Sequence, residues 1–133
     1  MKIISVVGAR PNFMKIAPFM RAIEEHNPVG GNRIKHLLVH TGQHYDDNMS
    51  KAFFQALEIP EADINLGIGS GSHAEQVGLT MIAFEKVVRQ EHPDWVVVVG
   101  DVNATCACSI TAKKEHVKLA HIEAGLRSGD ITM

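Results

Sequence analysis

Two acidic residues, Asp101 and Glu123, each follow a short apolar run that is typical of a buried strand. The runs are residues 95–99 and 117–122, and we predict that both are strands of a parallel sheet. Because parallel strands end at the same edge of a sheet, the two carboxylates are expected to lie close together. A pair of carboxylates can remove a proton from a substrate and return it, so these residues predict general acid–base chemistry.

A second group of chemically useful residues lies near the N-terminus. Residues 3–7 are apolar and predict a strand, Gly8 permits a tight turn, and Pro11 suits the first position of a helix. Arg10 and Lys15 place two cations beside that helix N-terminus, where the free backbone amides of residues 12–14 and the helix dipole favour an anion. We predict a phosphate or diphosphate site here. The alternative is an ordinary strand–turn–helix unit whose cations are merely solvated.

One further loop at a predicted strand end carries polar side chains. Gln43 and His44 follow the second predicted strand, residues 34–41, in a glycine-containing loop of the kind that contacts ligands.

Asp101 is open to a second interpretation, because a carboxylate two residues before Asn103 can also cap the helix predicted to start there.

The elements that must position these residues alternate regularly along the chain. Four predicted helices separate predicted strands at residues 3–7, 34–41, 64–66, 95–99 and 117–122. This alternation predicts an α/β domain over residues 1–133, with a doubly wound, Rossmann-like parallel sheet. Right-handed crossovers with a reversal after the first strand predict the strand order 3-2-1-4-5. The ligand crevice would then lie beside Arg10 and Asp101.

The composition argues against several classes of function. The 133 residues are 45% hydrophobic and 21% charged, with a net charge of -2 and no basic stripe, which disfavours a nucleic-acid partner. No apolar run approaches the roughly 20 residues that span a bilayer, and no secretory signal is visible, which disfavours a membrane partner. The first turn holds one glycine rather than G-x-G-x-x-G, which disfavours a nicotinamide cofactor.

Cysteine and histidine usage predicts no metal site. Cys106 and Cys108 are two residues apart in a predicted helix, so their side chains diverge, and we interpret both as small core residues. Unpaired cysteines and the missing signal together indicate the cytoplasm. The eight histidines contain no helical H-x-x-x-H pair and no H-E-x-x-H motif.

Four short motifs in order resemble those of the non-hydrolysing UDP-N-acetylglucosamine 2-epimerases. They are Gly8-Ala9-Arg10-Pro11 with Lys15-Ile16-Ala17-Pro18, Thr41-Gly42-Gln43-His44, Val99-Gly100-Asp101, and His121-Ile122-Glu123-Ala124-Gly125-Leu126-Arg127-Ser128. Each motif is weak alone, whereas four in the family's order are specific.

This resemblance implies a fold, a reaction and a set of site residues. The fold is the N-terminal half of a two-domain, glycosyltransferase-B-like enzyme. The reaction interconverts UDP-N-acetylglucosamine and UDP-N-acetylmannosamine without a cofactor, by C2 deprotonation, UDP elimination through 2-acetamidoglucal, and re-addition. Asp101 and Glu123 match catalytic carboxylates, and the implied substrate-binding residues are Arg10, Lys15, Gln43, His44 and Arg127.

The resemblance also implies that other parts of such an enzyme are missing here. Family members continue into a second domain that supplies most of the UDP pocket, so we expect this chain to be truncated after Met133 and to show little turnover alone. We expect a homodimer for the intact enzyme. Two alternatives stay open, namely a hydrolysing 2-epimerase that releases N-acetylmannosamine and UDP, and a non-catalytic nucleotide-sugar binding or dimerisation module.

Overall fold

The chain forms a parallel sheet covered by helices. The computed structural model describes residues 1–29, 31–42, 61–126 and 128–130. The strands in these ranges are β1 (Lys2–Val7), β2 (Lys35–His40), β3 (Ile64–Asn65), β4 (Trp95–Val99) and β5 (Lys118–Ile122). The helices are α1 (Arg10–Val29), α2 (His73–Glu91) and α3 (Asn103–Lys114).

The strand order is β3-β2-β1-β4-β5, and each described strand pair is parallel. This confirms the predicted doubly wound sheet and its order. Strands β2 and β3 are added on one side of β1, and the order of addition then reverses. The chain crosses back over the sheet, and β4 pairs with the other side of β1. Such a reversal leaves a crevice beyond the carboxyl ends of the strands, where the loops diverge.

Alternating residues of the central strand β1 supply two separate cores. Ile3 and Val7 join Phe13 and Ile16 of α1 in one buried cluster. Ile4 and Val6 belong to the second cluster, which contains residues of α2 and α3, among them Phe84, Cys108 and Ala112. Because successive strand side chains point to opposite faces, α1 covers one face of the sheet and α2 and α3 cover the other.

Helix α1 ends at Val29, within residues 27–32, whose proline and glycines are typical of a helix end. Its last turn includes Asn27 and Pro28. A proline in a last turn removes one helical hydrogen bond but keeps a helical φ, so the helix tolerates it there. The Asn27 side chain then fixes the chain reversal, since its amide donates to Ile34 O at 2.9 Å and its oxygen accepts from Ile34 N at 2.8 Å.

Helix α2 begins with a capping box formed by Ser72 and Glu75. Ser72 Oγ accepts from Glu75 N at 3.2 Å, and the Glu75 carboxylate accepts from Ser72 N at 2.8 Å, which completes a capping box. These hydrogen bonds also lower the pKa of Glu75. The buried residues of α2 are Gln76, Thr80, Phe84 and Val88.

Candidate functional site

A cleft of about 620 Å³ opens where β4 and β5 end. Three predicted site residues line it together: Lys15 of α1, Asp101 after β4 and Glu123 after β5. The first turns of α3 form another wall, with Thr105 and Cys106. The structure therefore places both predicted carboxylates and one predicted cation around one space that is large enough for a sugar.

Asp101 lies in the turn between β4 and α3 and is exposed. The alternative interpretation, that it caps the following helix, is wrong. The N-cap residue of α3 is Val102, and this described helix end has no side-chain capping hydrogen bond. Because Asp101 does not perform this structural role, its carboxylate is accessible to a molecule in the cleft.

Glu123 forms an ion pair with Lys15 across the cleft. The Lys15 ammonium group contacts the Glu123 carboxylate, and their side chains are 36% and 28% exposed, respectively. Glu123 has a φ of 67°, in the left-handed region, which costs a non-glycine residue about 1–2 kcal/mol. Strained residues of this kind are concentrated at functional sites. The pair joins a predicted catalytic residue to a predicted substrate-binding residue.

The side chain of Asn12, the third residue of α1, closes the turn before that helix. Asn12 is buried, and its Oδ1 accepts from the backbone amides of Gly8 and Ala9 at 3.1 Å each. Its backbone N donates to Ala9 O at 2.9 Å. The sequence predicted that this backbone amide would be free to bind an anion, and that prediction is wrong for Asn12. The helix begins at Arg10, so Pro11 is its second residue rather than its first.

Four predicted substrate-binding side chains fall outside the described part of the chain. They are those of Arg10, Gln43, His44 and Arg127. The backbone of Arg10 is described as the first residue of α1. The predictions for these four side chains stay predictions.

His40, the last residue of β2, holds the turn at Gly42. His40 is buried, stacks on Phe13 with ring centroids 5.3 Å apart, and accepts a hydrogen bond from Gly42 N at its Nδ1 atom at 2.7 Å. Burial lowers the pKa of His40 to about 4. A neutral ring is therefore the form that holds the Gly42 turn.

Sequence reasoning missed two residues of the cleft. His121 lines it and places Nε2 2.6 Å from Gly100 O. Cys106 also lines it and is exposed, so the prediction that both cysteines are core residues is wrong for Cys106 and confirmed only for the buried Cys108. The helical period was the available signal, because side chains two residues apart in a helix point in nearly opposite directions and cannot both face the core.

Neither a metal-binding cluster nor a membrane-spanning helix is found in the part of the chain that the structure describes. Within residues 1–29, 31–42, 61–126 and 128–130, no group of three His, Cys, Asp or Glu side chains is arranged to hold a metal ion. No helix in those ranges has both the length and the hydrophobicity that crossing a membrane requires.

The sequence and the fold both match known proteins. The model of one protein family, described as UDP-N-acetylglucosamine 2-epimerase, matches residues 29–133. A curated relative from Methanococcus maripaludis, a UDP-N-acetylglucosamine 2-epimerase homolog, is 47% identical over 133 residues, which are all of this chain and 35% of the relative. A Pseudomonas aeruginosa relative, a UDP-2,3-diacetamido-2,3-dideoxy-D-glucuronate 2-epimerase, is 44% identical over all of this chain and 36% of its own length.

A solved structure shares the same architecture. The Methanocaldococcus jannaschii UDP-GlcNAc 2-epimerase, crystallised in complex with UDP-GlcNAc and UDP, superposes with a TM-score of 0.89 and 44% sequence identity. The match covers 100% of this chain and 35% of that chain. The chain thus spans about a third of the length of the proteins that it resembles.

Proposed function

Because the chain belongs to the UDP-N-acetylglucosamine 2-epimerase family, we propose that its cleft holds the sugar of a UDP-linked 2-acetamido sugar during inversion at C2. The observation that carries this proposal is the placement of Asp101 and Glu123 around one cleft, with Lys15 beside Glu123. Two acid–base groups are what inversion requires, since a proton must leave one face of C2 and another must arrive at the opposite face.

The proposed reaction proceeds by elimination and re-addition. One carboxylate removes the C2 proton as the C1–oxygen bond to UDP breaks, which gives 2-acetamidoglucal and UDP. UDP then adds back to C1, and the second carboxyl group, which has taken up a proton from solvent, delivers that proton to the other face of C2. Because the C2 proton is weakly acidic, the base must be well placed and the leaving group must be stabilised.

Stabilising the leaving diphosphate requires positive charge. Asp101 and Glu123 bring two negative charges to the cleft, and Lys15 brings one positive charge. Arg10, the first residue of α1, is the predicted second cation and would lie at the positive end of the helix dipole. In the proposal, Lys15 and Arg10 balance the charge of the departing UDP.

Carboxylate substitutions test the catalytic proposal. Asp101→Asn and Glu123→Gln keep the shape of each side chain and remove its ability to take a proton. We expect each variant of the intact protein to lose about 10²-fold or more in kcat, which is the range that general acid–base groups contribute. Proton NMR in D2O would follow both sugar interconversion and deuterium incorporation at C2.

A matched control separates catalysis from general charge effects. Glu25→Gln removes one carboxylate from an exposed position of α1, away from the cleft, and should leave kcat unchanged. Retention of near-normal turnover by Asp101→Asn or Glu123→Gln would show that the altered residue is not an acid–base group.

The sugar itself has a second candidate. The 44% identical Pseudomonas relative is named for a 2,3-diacetamido glucuronate, so UDP-2,3-diacetamido-2,3-dideoxy-D-glucuronate belongs in the assay beside UDP-N-acetylglucosamine. We propose UDP-N-acetylglucosamine as the preferred substrate, and the ratio of kcat/KM values would decide between them. The same assay distinguishes the hydrolysing alternative, because a free sugar product would replace the UDP-linked epimer.

A further inference from the structure

Gly100 connects β4 to Asp101 and has a backbone conformation that favours glycine. Its φ is 70°, in the left-handed region, and a Cβ added there would lie 3.4 Å from Asn12 Nδ2. Glycine gives the following peptide unit more rotational freedom than any other residue gives. That peptide unit contains both Gly100 O and the amide nitrogen of Asp101. Its orientation therefore decides where the Asp101 carboxylate lies.

Hydrogen bonds to β5 fix the peptide units before and after Gly100. Gly100 N donates to Ile122 O at 3.0 Å, which fixes the peptide unit before Gly100. His121 Nε2 lies 2.6 Å from Gly100 O, which fixes the peptide unit after it. Because a carbonyl oxygen can only accept, His121 Nε2 must carry the proton and donate it.

The same side chain lies at the strand end that carries Glu123. His121 is exposed, lines the cleft and precedes Glu123 by two residues. Its hydrogen bond thus joins the end of β5 to the peptide unit that carries Asp101. An exposed ring buries little apolar surface, so its contribution to core stability is small.

We infer that His121 is a positioning residue that fixes Asp101 relative to Glu123 by donating its Nε2 proton to Gly100 O. The inference rests on the proposed function, because acid–base catalysis is what requires the two carboxylates to keep a fixed geometry. Without the hydrogen bond the Gly100–Asp101 peptide unit rotates, and Asp101 spends less time at the reacting carbon. Misplacement by about 1 Å can reduce a rate roughly 100-fold.

Two variants of the intact protein test this role. His121→Ala removes the donor, whereas His121→Gln offers an amide nitrogen at nearly the same distance along the side chain. We expect kcat to fall about 10- to 100-fold in His121→Ala with KM nearly unchanged, and to recover to within about 5-fold of the parent in His121→Gln. His26→Ala, at an exposed histidine in the last turn of α1, is the matched control.

A spectroscopic measurement reports on the peptide unit without turnover. In protein labelled with ¹⁵N-aspartate, the Asp101 amide should give one sharp resonance in the parent and in His121→Gln, and a shifted or broadened one in His121→Ala. If the parent turns over no UDP-linked 2-acetamido sugar, the proposed function fails. The Asp101 amide resonance then still shows whether His121 fixes the Gly100–Asp101 peptide unit.

Three results would overturn the inference. One is a kcat change of less than 2-fold in His121→Ala. Another is an Asp101 resonance that is the same in His121→Ala and the parent. The third is a loss in His121→Gln as large as that in His121→Ala, which would show that the ring itself is needed. If His121→Ala does not fold, His121→Gln decides, since near-parent turnover supports the hydrogen bond and a large loss excludes it.

Discussion

At the scale of single residues, the two cysteines of α3 offer a chemical probe of the cleft. Cys106 is exposed and lines the cleft, whereas Cys108 is fully buried. Burial raises the pKa of the Cys108 thiol, so the reactive thiolate is not formed there near neutral pH. We expect iodoacetamide to modify Cys106 in the native protein and both residues in urea. Peptide mass spectrometry would measure this, and faster native labelling of Cys108 would contradict the described packing.

The same thiol reports whether ligand enters this cleft. Cys106 shares the cleft with Asp101 and Glu123, so a bound UDP-sugar should cover it. At a ligand concentration of about 10 times Kd, roughly nine-tenths of the protein is occupied, and alkylation of Cys106 should slow by about 10-fold. An unchanged rate under saturating UDP-N-acetylglucosamine would place the ligand elsewhere. The rate for Cys106 in the presence of uridine alone is a suitable control.

His40 makes the stability of the fold depend on pH. Its pKa is about 4 in the folded protein against 6.5 for an ordinary histidine, because burial disfavours the charged ring. Unfolding between those values takes up a proton, so the stabilisation is complete above pH 6.5 and is lost as the pH falls towards 4. The free energy of unfolding should drop by about 2–3 kcal/mol over this interval. His36, whose pKa burial also lowers, contributes in the same direction.

A substitution isolates the contribution of His40. His40→Asn keeps an acceptor for the Gly42 amide but cannot titrate, so the slope of unfolding free energy against pH should decrease between pH 6.5 and 4. Urea denaturation at a series of pH values would measure that slope. His26→Asn, at an exposed position, should leave it unchanged. If His40→Asn keeps the parent slope, the titrating group lies elsewhere.

At the scale of elements, the turn after β2 depends on a glycine. Gly42 has a φ of 94°, and a Cβ placed there would lie 2.7 Å from the backbone nitrogen of Ile68. Both the left-handed conformation and the close backbone contact oppose a side chain. We expect Gly42→Ala to lower the free energy of unfolding by about 2–4 kcal/mol, since strain of this type belongs to the large mutational effects.

The control for Gly42→Ala lies in the neighbouring loop. At Gly69 no positive φ is found, and an added Cβ would have nothing within 4 Å. Gly69→Ala should therefore change the free energy of unfolding by less than about 1 kcal/mol. Thermal unfolding of both variants would compare them. Equal effects at the two positions would contradict the described turn.

At the scale of the whole molecule, the chain spans about a third of its relatives' length. We propose that further residues of such a protein complete the cleft, so the purified 133-residue chain should show little or no epimerase turnover. Positioning accounts for several powers of ten in rate, and an incomplete site provides little of it. Robust conversion of UDP-N-acetylglucosamine by this chain would refute the prediction. Micromolar binding of UDP without turnover would instead favour a nucleotide-sugar binding module.

The sequence alone determined the sheet and the identity of the two carboxylates. Buried parallel strands are continuous apolar runs, so residues 95–99 could be recognised from a few adjacent positions. The handedness of crossovers then restricted the strand order, which the structure shows as β3-β2-β1-β4-β5. Asp101 and Glu123 could be placed at one edge because parallel strands end there together.

Tertiary structure alone decided which partners those residues have. Lys15 and Glu123 are 108 positions apart, and only the packing of α1 on the sheet brings them into contact. His121 meets Gly100 because β4 and β5 pair in a particular register. The backbone N of Asn12 donates to Ala9 O, whereas local patterning had left that amide free for an anion. Contacts of this kind follow from three-dimensional packing, and short-range patterns of residue type carry no information about them.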